Sequence, residues 1–555
     1  MISPQEPTIM SKPSSFCTIC THPAAFELVG LLLSLSVFHP NAPIIVISDS
    51  RTKFLLESIT PQPKLQIKWL IMLNKYSDLS RATMEKQNIW AEFQMFKAAA
   101  IQQALDKHSD TLFLDSDIIV TGVISSIDKS KDLGVSPHYM KKEATDKYGY
   151  YNGGMLWTKH RDVPRDWLQF TQTSRFFDQA SIEDLAKKYS HFSFGENYNI
   201  QGWRIYHHPD GRDAFVNNFS FNETRKQVYY KNSQIKCIHT HLRDKTFDVF
   251  NNLLFRHFQL AKMYKIVAIM FRVLHGNWIL RIPKQPMPGL ASHSGDSFRE
   301  LARLMAQNNS DVKIVEDTKT IHCWLAPTIL LYDRPTLQWC NEEVRNATYF
   351  FLGNGSTRNE GRSIQERFPT LPVSPWIFWP RRPSIVEDMV VNQDPLYYDQ
   401  RLCESVFIGN YENNVQKSHR TKDDWSTVIE EFHCTNGSKH KFTPSEYLMK
   451  LKQAKYGLCL RGFGSKCHRE VELMAFGTVP IVTSDVCIDS YLNPPQENVH
   501  YIRVDKPADL RAKLDSIDKD TWEKMSDACF DWFQENGMSD RVWNLTIRKV
   551  LYDEP

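Results

Sequence analysis

The chain has 555 residues, with 67 Lys and Arg against 64 Asp and Glu, a formal net charge of +3 and 42% hydrophobic residues. That length exceeds what one hydrophobic core organises and calls for about two to four domains. The near-balanced charge excludes the global basic field of a nucleic-acid binder. The 11 cysteines are scattered without paired metal-ligand spacing, so reduced thiols in a cytoplasmic setting are the expectation.

The opening MISPQEPTIMSKPSS is polar and carries proline, unlike a signal peptide. From about residue 14, short apolar runs alternate with helical patterns: SFCTICT, AAFELVGLLLSLSVFH, APIIVIS, LQIKWLIML, IWAEFQMFKAAAIQQALDKH, then TLFLDSD. This alternation predicts an α/β fold with parallel strands joined by crossover helices. Cys17 and Cys20 form a C-x-x-C, but inside the first strand run they read as strand residues, not as a redox or zinc pair. The run FELVGLLLSLSVF is too short to span a bilayer and carries Glu27.

TLFLDSDIIV ends an apolar run on Asp115 and Asp117. One reading is a turn, since Asp favours strand ends; a second D-x-D, Asp518 with Asp520, stands in a polar stretch before a helical pattern. The other reading is a metal site. Residues i and i+2 of a strand point the same way, which converges two carboxylates at the C-terminal edge of a sheet, where α/β folds bind ligands. An ion held there needs further oxygens, which a diphosphate supplies, and often one imidazole. Downstream, YYNGGMLWTKH sets Asn152 before Gly153 and Gly154, where a ligand can approach the backbone. FFDQASIEDLAKKY carries Asp178 and Gln179, FGENYNIQGW follows, and IKCIHTHLRDKTF places His239 and His241 on a strand pattern with Lys245 beyond.

In this order, over roughly residues 14–250, the landmarks resemble the retaining nucleotide-sugar glycosyltransferases of the GT-A fold, of the glycogenin and bacterial lipo-oligosaccharide galactosyltransferase type (family 8). The family's closing H-x-x-G-x-x-K-P-W stands here as H-T-H-L-R-D-K-T-F, with Leu242 in place of the glycine and Thr246-Phe247 in place of Pro-Trp. The resemblance implies that Asp115, Asp117 and His239 ligate Mn²⁺ or Mg²⁺, which bridges the diphosphate of a UDP-sugar. It implies that Lys245 neutralises the leaving diphosphate and that Lys97 reaches the phosphates or the donor sugar. Thr21, Asn152 and Gly153 join the nucleotide-sugar set, with Asp178 and Gln179 at the sugar hydroxyls near the reacting carbon as the catalytic pair. Structural alternatives stand beside each: a solvated helix face for Lys97, a core position for His241, a helix start for Asp178 and Gln179. A hydrophobic run before D-x-D also resembles the nucleophile motif of haloacid-dehalogenase phosphatases, but that motif opens its chain and carries Thr or Val where Ile119 stands here.

MYKIVAIMFRVLHGNWILRIPK, interrupted by Lys265 and Arg272, reads as an amphipathic helix that is either core or in peripheral contact with a membrane surface. Sequons at Asn218, Asn222, Asn346, Asn354 and Asn544 would matter only in a secretory chain and read as chance. RIPKQPMPGLASHSGDS, 281–297, is the linker candidate. Beyond it the alternation resumes, and Thr443 with Glu446 forms a capping box with Pro444 in the first turn. Strand YGLCL, loop RGFGSK, helix HREVELMAFG and strand TVPIV then make a βαβ unit whose glycine loop meets a helix N-terminus, a ready anion site.

Arg461, Gly462, Gly464, Lys466 and Arg469 suit a diphosphate there, and Glu472 a ribose. This run resembles the nucleotide-binding half of exostosin-like GT-B glycosyltransferases, although Leu460 replaces the leading proline and Leu473 the alanine after Glu472. The expected layout is a GT-A domain over 14–280, a linker and start of a second module over 281–320, and a compact exostosin-like GT-B module over 321–555. The expected function is bifunctional sugar transfer from nucleotide sugars to an oligosaccharide or glycoconjugate acceptor, without nucleic acid. The alternative is one active GT-A transferase with a glycan-binding or scaffold module. Fused transferases of this kind without a membrane anchor resemble soluble glycan-building enzymes of bacteria or of large algal viruses; with no signal peptide or anchor read in the sequence, the expected location is the cytoplasm, the host's if viral.

Overall fold

The structure, a computed structural model, describes residues 10–552 except 60, 223, 226, 243, 244, 248, 252, 253, 255–262, 283–291, 311, 317–327, 333–348, 353–365, 367–372, 375–378, 412, 438, 439, 463 and 492. Contacts divide the chain into two units, Met1–Gly276 and Asn277–Pro555. Both are mixed α/β, the class the alternating runs predict.

In the first unit the apolar runs become β1 (Phe16–Cys20), β2 (Pro43–Ser48), β3 (Gln66–Ile71) and β4 (Thr111–Leu114). Short strands follow: β5 (Ile118–Val120), β6 (Leu133–Pro137), β7 (Tyr151–Thr158), β8 (His191–Ser193), β9 (Ile200–Gln201) and β10 (Cys237–His239). Seven of them form one sheet in the order β8-β6-β7-β4-β1-β2-β3. The first four are parallel, as crossover helices require, but β7 runs antiparallel to both neighbours. An antiparallel partner needs no crossover, so β7 can lay its Asn-Gly-Gly segment directly beside the end of β4. A small sheet, β9-β10-β5, pairs His239 with Ile118 and brings the imidazole to the residues just after β4.

Cys17 and Cys20 are buried strand residues, and burial pushes the Cys17 thiol up to about 12, consistent with a packing role. Three helices serve the site: α1 (Ala25–Phe38), α2 (Phe96–Leu105) and α3 (Phe177–Ala180). The stretch read as one amphipathic helix is α4 (Tyr264–His275), stopped by Gly276 in the left-handed region at φ 73°. Its Ile266, Val267 and Met270 are buried, and Met270 lies so close to Gly30 of α1 that a Cβ there would fall 2.5 Å from its Sδ. The apolar face is therefore occupied by α1. Among the described residues no helix is long and apolar enough to cross a membrane.

The second unit begins at β11 (Trp278–Ile282), so the segment read as linker supplies the end of a strand and, from Ser292, the helix α5 (Ser292–Asn308); 283–291 lie outside the described residues. With β12 (Val312–Glu316), β13 (Thr328–Tyr332), β14 (Tyr349–Leu352) and β15 (Val373–Ser374) it forms a parallel sheet in the order β12-β11-β13-β14-β15. A second parallel sheet has the same order, β17-β16-β18-β19-β20, from β16 (Cys403–Tyr411), β17 (Glu431–Asn436), β18 (Ala454–Cys459), β19 (Val479–Val482) and β20 (Ile502–Arg503). Helices α6 (Asn414–Arg420), α7 (Pro444–Gln453) and α8 (His468–Ala475) serve it, α7 with its capping box intact. Asp518 of the second D-x-D caps the helix Lys519–Asn536 through the Thr521 N–H at 2.8 Å, the turn chemistry expected of it.

Asp49 ties the C-terminal end of β2 to the mouth of β1. Its buried carboxylate accepts the N–H groups of His22 (2.8 Å), Arg51 (2.9 Å) and Thr52 (3.0 Å) and the hydroxyls of Thr52 (2.7 Å) and Ser77 (2.8 Å). Burial raises its pKa, and these bonds more than offset it, leaving the carboxyl below its ordinary range. Asp49→Ala should lower the unfolding free energy by about 2–3 kcal/mol, and Asp49→Asn, which keeps an acceptor, by less. Urea unfolding of the three proteins measures the order.

Candidate metal and nucleotide-sugar site

β4 stops at Leu114, and Asp115 to Asp117 form a turn closed by the Ile118 N–H on the Asp115 carbonyl at 3.1 Å. The strand periodicity expected to align the two carboxylates is therefore not what aligns them. The turn is held from both sides instead: the Asp115 N–H donates to Gly154 C=O on β7 (2.8 Å), and Asp117 C=O accepts the Thr240 N–H (2.9 Å) and hydroxyl (2.8 Å) after β10. Turn and ligand readings coincide here.

The ligand atoms of Asp115, Asp117 and His239 all lie within 4.8 Å of one another, and His239 Nε2 stands 3.0 Å from Asp117 Oδ1. The space between them exists because residue 154 is glycine: a Cβ there would fall 2.6 Å from His239 Cε1 and 2.7 Å from Asp115 Oδ2. Two carboxylates and an imidazole in a pocket no side chain can fill are a donor set that fits Mn²⁺ or Mg²⁺. Burial pushes the Asp115 carboxyl up despite nearby Lys97. Burial also opposes ionisation of Asp117 and His239, but their mutual attraction prevails, holding Asp117 down and His239 up.

Lys97 on α2 is buried, which removes the solvated-face alternative. Its ammonium lies 3.0 Å from Asp115 Oδ1 and 3.0 Å from Asp178 Oδ2 and donates to Gly153 C=O at 3.2 Å. Burial works against its charge, and the two carboxylates outweigh it, keeping the ammonium protonated. Asp178 follows Phe177, whose φ of 43° is a left-handed conformation that bulky residues avoid. That strained step turns the carboxylate toward Lys97, past Gly153, where a Cβ would meet Asp178 Oδ2 at 2.4 Å.

Asn152 Oδ1 accepts the Gly154 N–H (2.9 Å) and the Asn199 amide (3.0 Å), while its Nδ2 stands 3.4 Å from Gln179 Oε1. His138 and Asn199, which no motif flagged, complete this network. The His138 Nδ1–H donates to Gly149 C=O at 3.0 Å, so its Nε2 faces Asn152 as an acceptor, and burial drops its pKa to about 4. One cleft of about 830 Å³ is lined by Thr21, Lys97, Asp115, Asp117, Asn152, Gly153, Asp178, Gln179 and His239. That volume is in the upper part of the roughly 300–1,000 Å³ range of small-molecule sites. Lys245 stands on the short turn Lys245–Phe247, and its side chain lies outside the described residues. His241 stacks between His239 (5.6 Å) and Phe247 (4.6 Å).

In the second unit the order β17-β16-β18 puts a topological switch point between β16 and β18, where open parallel sheets bind ligands. Arg469 Nη2 donates to Ile408 C=O at 2.6 Å, and Arg420 Nη1 donates to Asn410 C=O. Both guanidiniums close on Gly409, where a Cβ would fall 2.9 Å from Arg469 Nη2 and 3.2 Å from Arg420 Nη1. Among the described residues, Nε and Nη1 of Arg469 and Nε of Arg420 and of Arg461 have no hydrogen-bond partner. Arg420, at the end of α6, was not indicated by the glycine-loop motif. Gly462 and Gly464 lie in the β18–α8 loop, and Lys466 is buried with its ammonium 4.7 Å over the Tyr491 ring. Glu472, read as a ribose acceptor, is 1% exposed; its oxygens take the Arg381 N–H (2.8 Å) and the Tyr447 hydroxyl (2.8 Å). A ribose hydroxyl there would have to reach the carboxylate's remaining lone pairs beside these two donors.

No protein-family model matches the chain, and no curated protein does. Solved structures similar to it include the galactosyltransferase LgtC in complex with donor and acceptor sugar analogs (13% identity, 45% of this chain and 95% of that one, TM-score 0.30). The mouse xyloside xylosyltransferase 1 is 11% identical over 41% of this chain and 97% of that one, with a TM-score of 0.27. The glycosyltransferase GlyE of Streptococcus pneumoniae is 10% identical over 91% of this chain and 98% of that one, with a TM-score of 0.29. At such scores the likenesses carry no weight of their own, and the functional reading rests on the site.

Titration with Mn²⁺ by calorimetry should detect one site in the full chain and none in Asp115→Ala or Asp117→Ala. Gly154→Ala, which touches no ligand atom covalently, should weaken it roughly tenfold to a hundredfold. His239→Ala should lose more affinity than His241→Ala; the reverse order would assign the ligand to the wrong histidine.

Proposed function

We propose that the protein is a glycosyltransferase whose first unit moves a sugar from a UDP-sugar to an oligosaccharide or glycoconjugate acceptor. The observation that carries this reading is the Asp115–Asp117–His239 triad sharing one cleft with Lys97, Asp178, Asn152 and Gln179. The triad would hold Mn²⁺ or Mg²⁺, which offsets the charge that builds on the diphosphate as the anomeric C–O bond breaks. Lys97 fixes the direction of Asp178 at the sugar, and the amides of Asn152 and Gln179 line the same cleft, where they would meet its hydroxyls. Lys245 supplies a cation for the departing diphosphate.

The second unit, on this reading, holds a nucleotide diphosphate at its switch point through backbone N–H groups of the Arg461–Cys467 loop and the guanidiniums of Arg420, Arg461 and Arg469. The unused guanidinium N–H groups support it. The burial of Glu472 favours the alternative, in which this unit binds glycan or acts as a scaffold beside one active transferase.

Release of UDP over a panel of UDP-sugars should be metal-dependent, vanish in EDTA and fall roughly a hundredfold or more in Lys97→Met. Full turnover in EDTA would overturn the assignment. For the second unit, calorimetry on the full chain in EDTA with UDP- and GDP-sugars should show a metal-independent site. Arg469→Ala should weaken it by roughly 1.5–3 kcal/mol, the worth of charge-assisted hydrogen bonds. Absence of any such binding leaves the scaffold alternative.

A further inference from the structure

The cleft that holds the triad has an aromatic wall that donor chemistry does not use. Trp203 lines it and is 42% exposed, although Gly202 and Arg204 on either side are buried. The indole is not on a loose tip. The Arg204 guanidinium is fully buried, donates to Asn199 C=O at 3.0 Å and lies 4.9 Å over the Tyr139 ring. Gly202 lets the loop press on its neighbours: a Cβ there would fall 2.8 Å from His241 Cδ2 and 3.0 Å from Phe250 Cδ1. The chain thus pins both neighbours of a large apolar ring and leaves the ring itself in the cleft.

Other rings extend the wall. Trp203 stacks on His207 (6.0 Å, 17°), meets His241 edge-on (5.9 Å, 79°) and approaches Tyr148 (6.5 Å), which contacts Phe176 (5.0 Å). His241 in turn stacks on the metal ligand His239 at 5.6 Å. A continuous aromatic track therefore leads from the triad to Trp203, and Tyr148, Phe176, Phe177 and His207 line the same cleft. Its position sets it apart from the nucleotide. A nucleotide in an α/β fold lies over the C-terminal ends of the main parallel strands, here β1 and β4 of the seven-stranded sheet, whereas Trp203 follows β9, a parallel neighbour of β10 in the separate small sheet.

We propose that Trp203, flanked by Tyr148, is the platform for the acceptor, and that the acceptor presents a hexopyranose ring. This inference rests on the transferase reading of the cleft. A hexopyranose of gluco or galacto configuration carries a face of C–H groups whose slightly positive hydrogens suit the negative face of an indole. Stacking removes two apolar surfaces from water and leaves the ring's hydroxyls at the edge, free to meet polar groups or solvent. A serine or threonine hydroxyl of a peptide would have no such face to offer.

Saturation-transfer NMR on the full chain, with and without Mn²⁺ and UDP, uses methyl β-glucopyranoside, methyl β-galactopyranoside and lactose as probes. At least one probe should receive magnetisation, strongest on its C–H face. Trp203→Ala should weaken it roughly tenfold and Trp203→Phe much less, since the smaller ring retains a stacking face. Both variants should keep the parent's thermal midpoint. No transfer to any probe in the parent, unchanged transfer in Trp203→Ala, or loss of UDP in place of the sugar would each overturn the platform. Sugar contact through Trp203 in a parent that binds no Mn²⁺ and UDP would instead overturn the donor reading and leave the platform standing.

Discussion

A lysine ammonium buried in a protein interior costs several kcal/mol in lost hydration unless opposite charge surrounds it. Lys97 is such a group, and the first unit is organised around its neutralisation: Asp115 from the end of β4, Asp178 from α3 and the Gly153 carbonyl from β7 converge on one nitrogen. Three elements distant in sequence are thereby fixed relative to one another before any ligand arrives. When ionised, the three carboxylates of Asp115, Asp117 and Asp178 against one ammonium leave two negative charges, the complement of a divalent ion. The same contacts explain why glycine stands at 153 and 154, since a side chain at either position would occupy the space the carboxylates need.

Most of this site was legible in the sequence because its parts are local: a D-x-D after an apolar run, two glycines after an asparagine, a histidine at fixed spacing from a lysine. Lys97 is the instructive case. On composition alone a lysine on a helix is a solvated one, and only the ordered set of landmarks argued for a ligand role; burial between two carboxylates replaces the solvated reading. What stayed hidden depends on contacts between remote strands. The alignment of Asp115 with Asp117 comes from Gly154 and Thr240, and the roles of His138 and Asn199 come from the packing of Asn152. No spacing rule encodes these. The helical pattern of α4 runs into the equally apolar β11, and the glycine between them is a weak mark, which is why the stretch read as one helix.

The two units treat charge in opposite ways. The first gathers carboxylates and leaves room for a cation. The second brings guanidiniums to the switch point of a parallel sheet, where Arg420 is depressed first by burial and then by the neighbouring Arg469. Holding two like charges together out of water is unfavourable, and the carbonyls of Ile408 and Asn410 satisfy only part of their donors. Among the described residues the pair therefore keeps guanidinium N–H groups unspent at the end of the sheet. Arg420 escaped notice because it lies on α6, far from the glycine loop in sequence, while the strand order β17-β16-β18 brings it beside that loop.

The turn that carries Asp115 and Asp117 is fastened at one end to β7 of the seven-stranded sheet and at the other to the segment after β10 of the small sheet. The turn thus joins two sheets, and a ligand held by Asp115, Asp117 and His239 would touch both of them. By reciprocity, a sequence change at the far edge of the small sheet would alter ligand affinity in proportion to how much it loosens that junction.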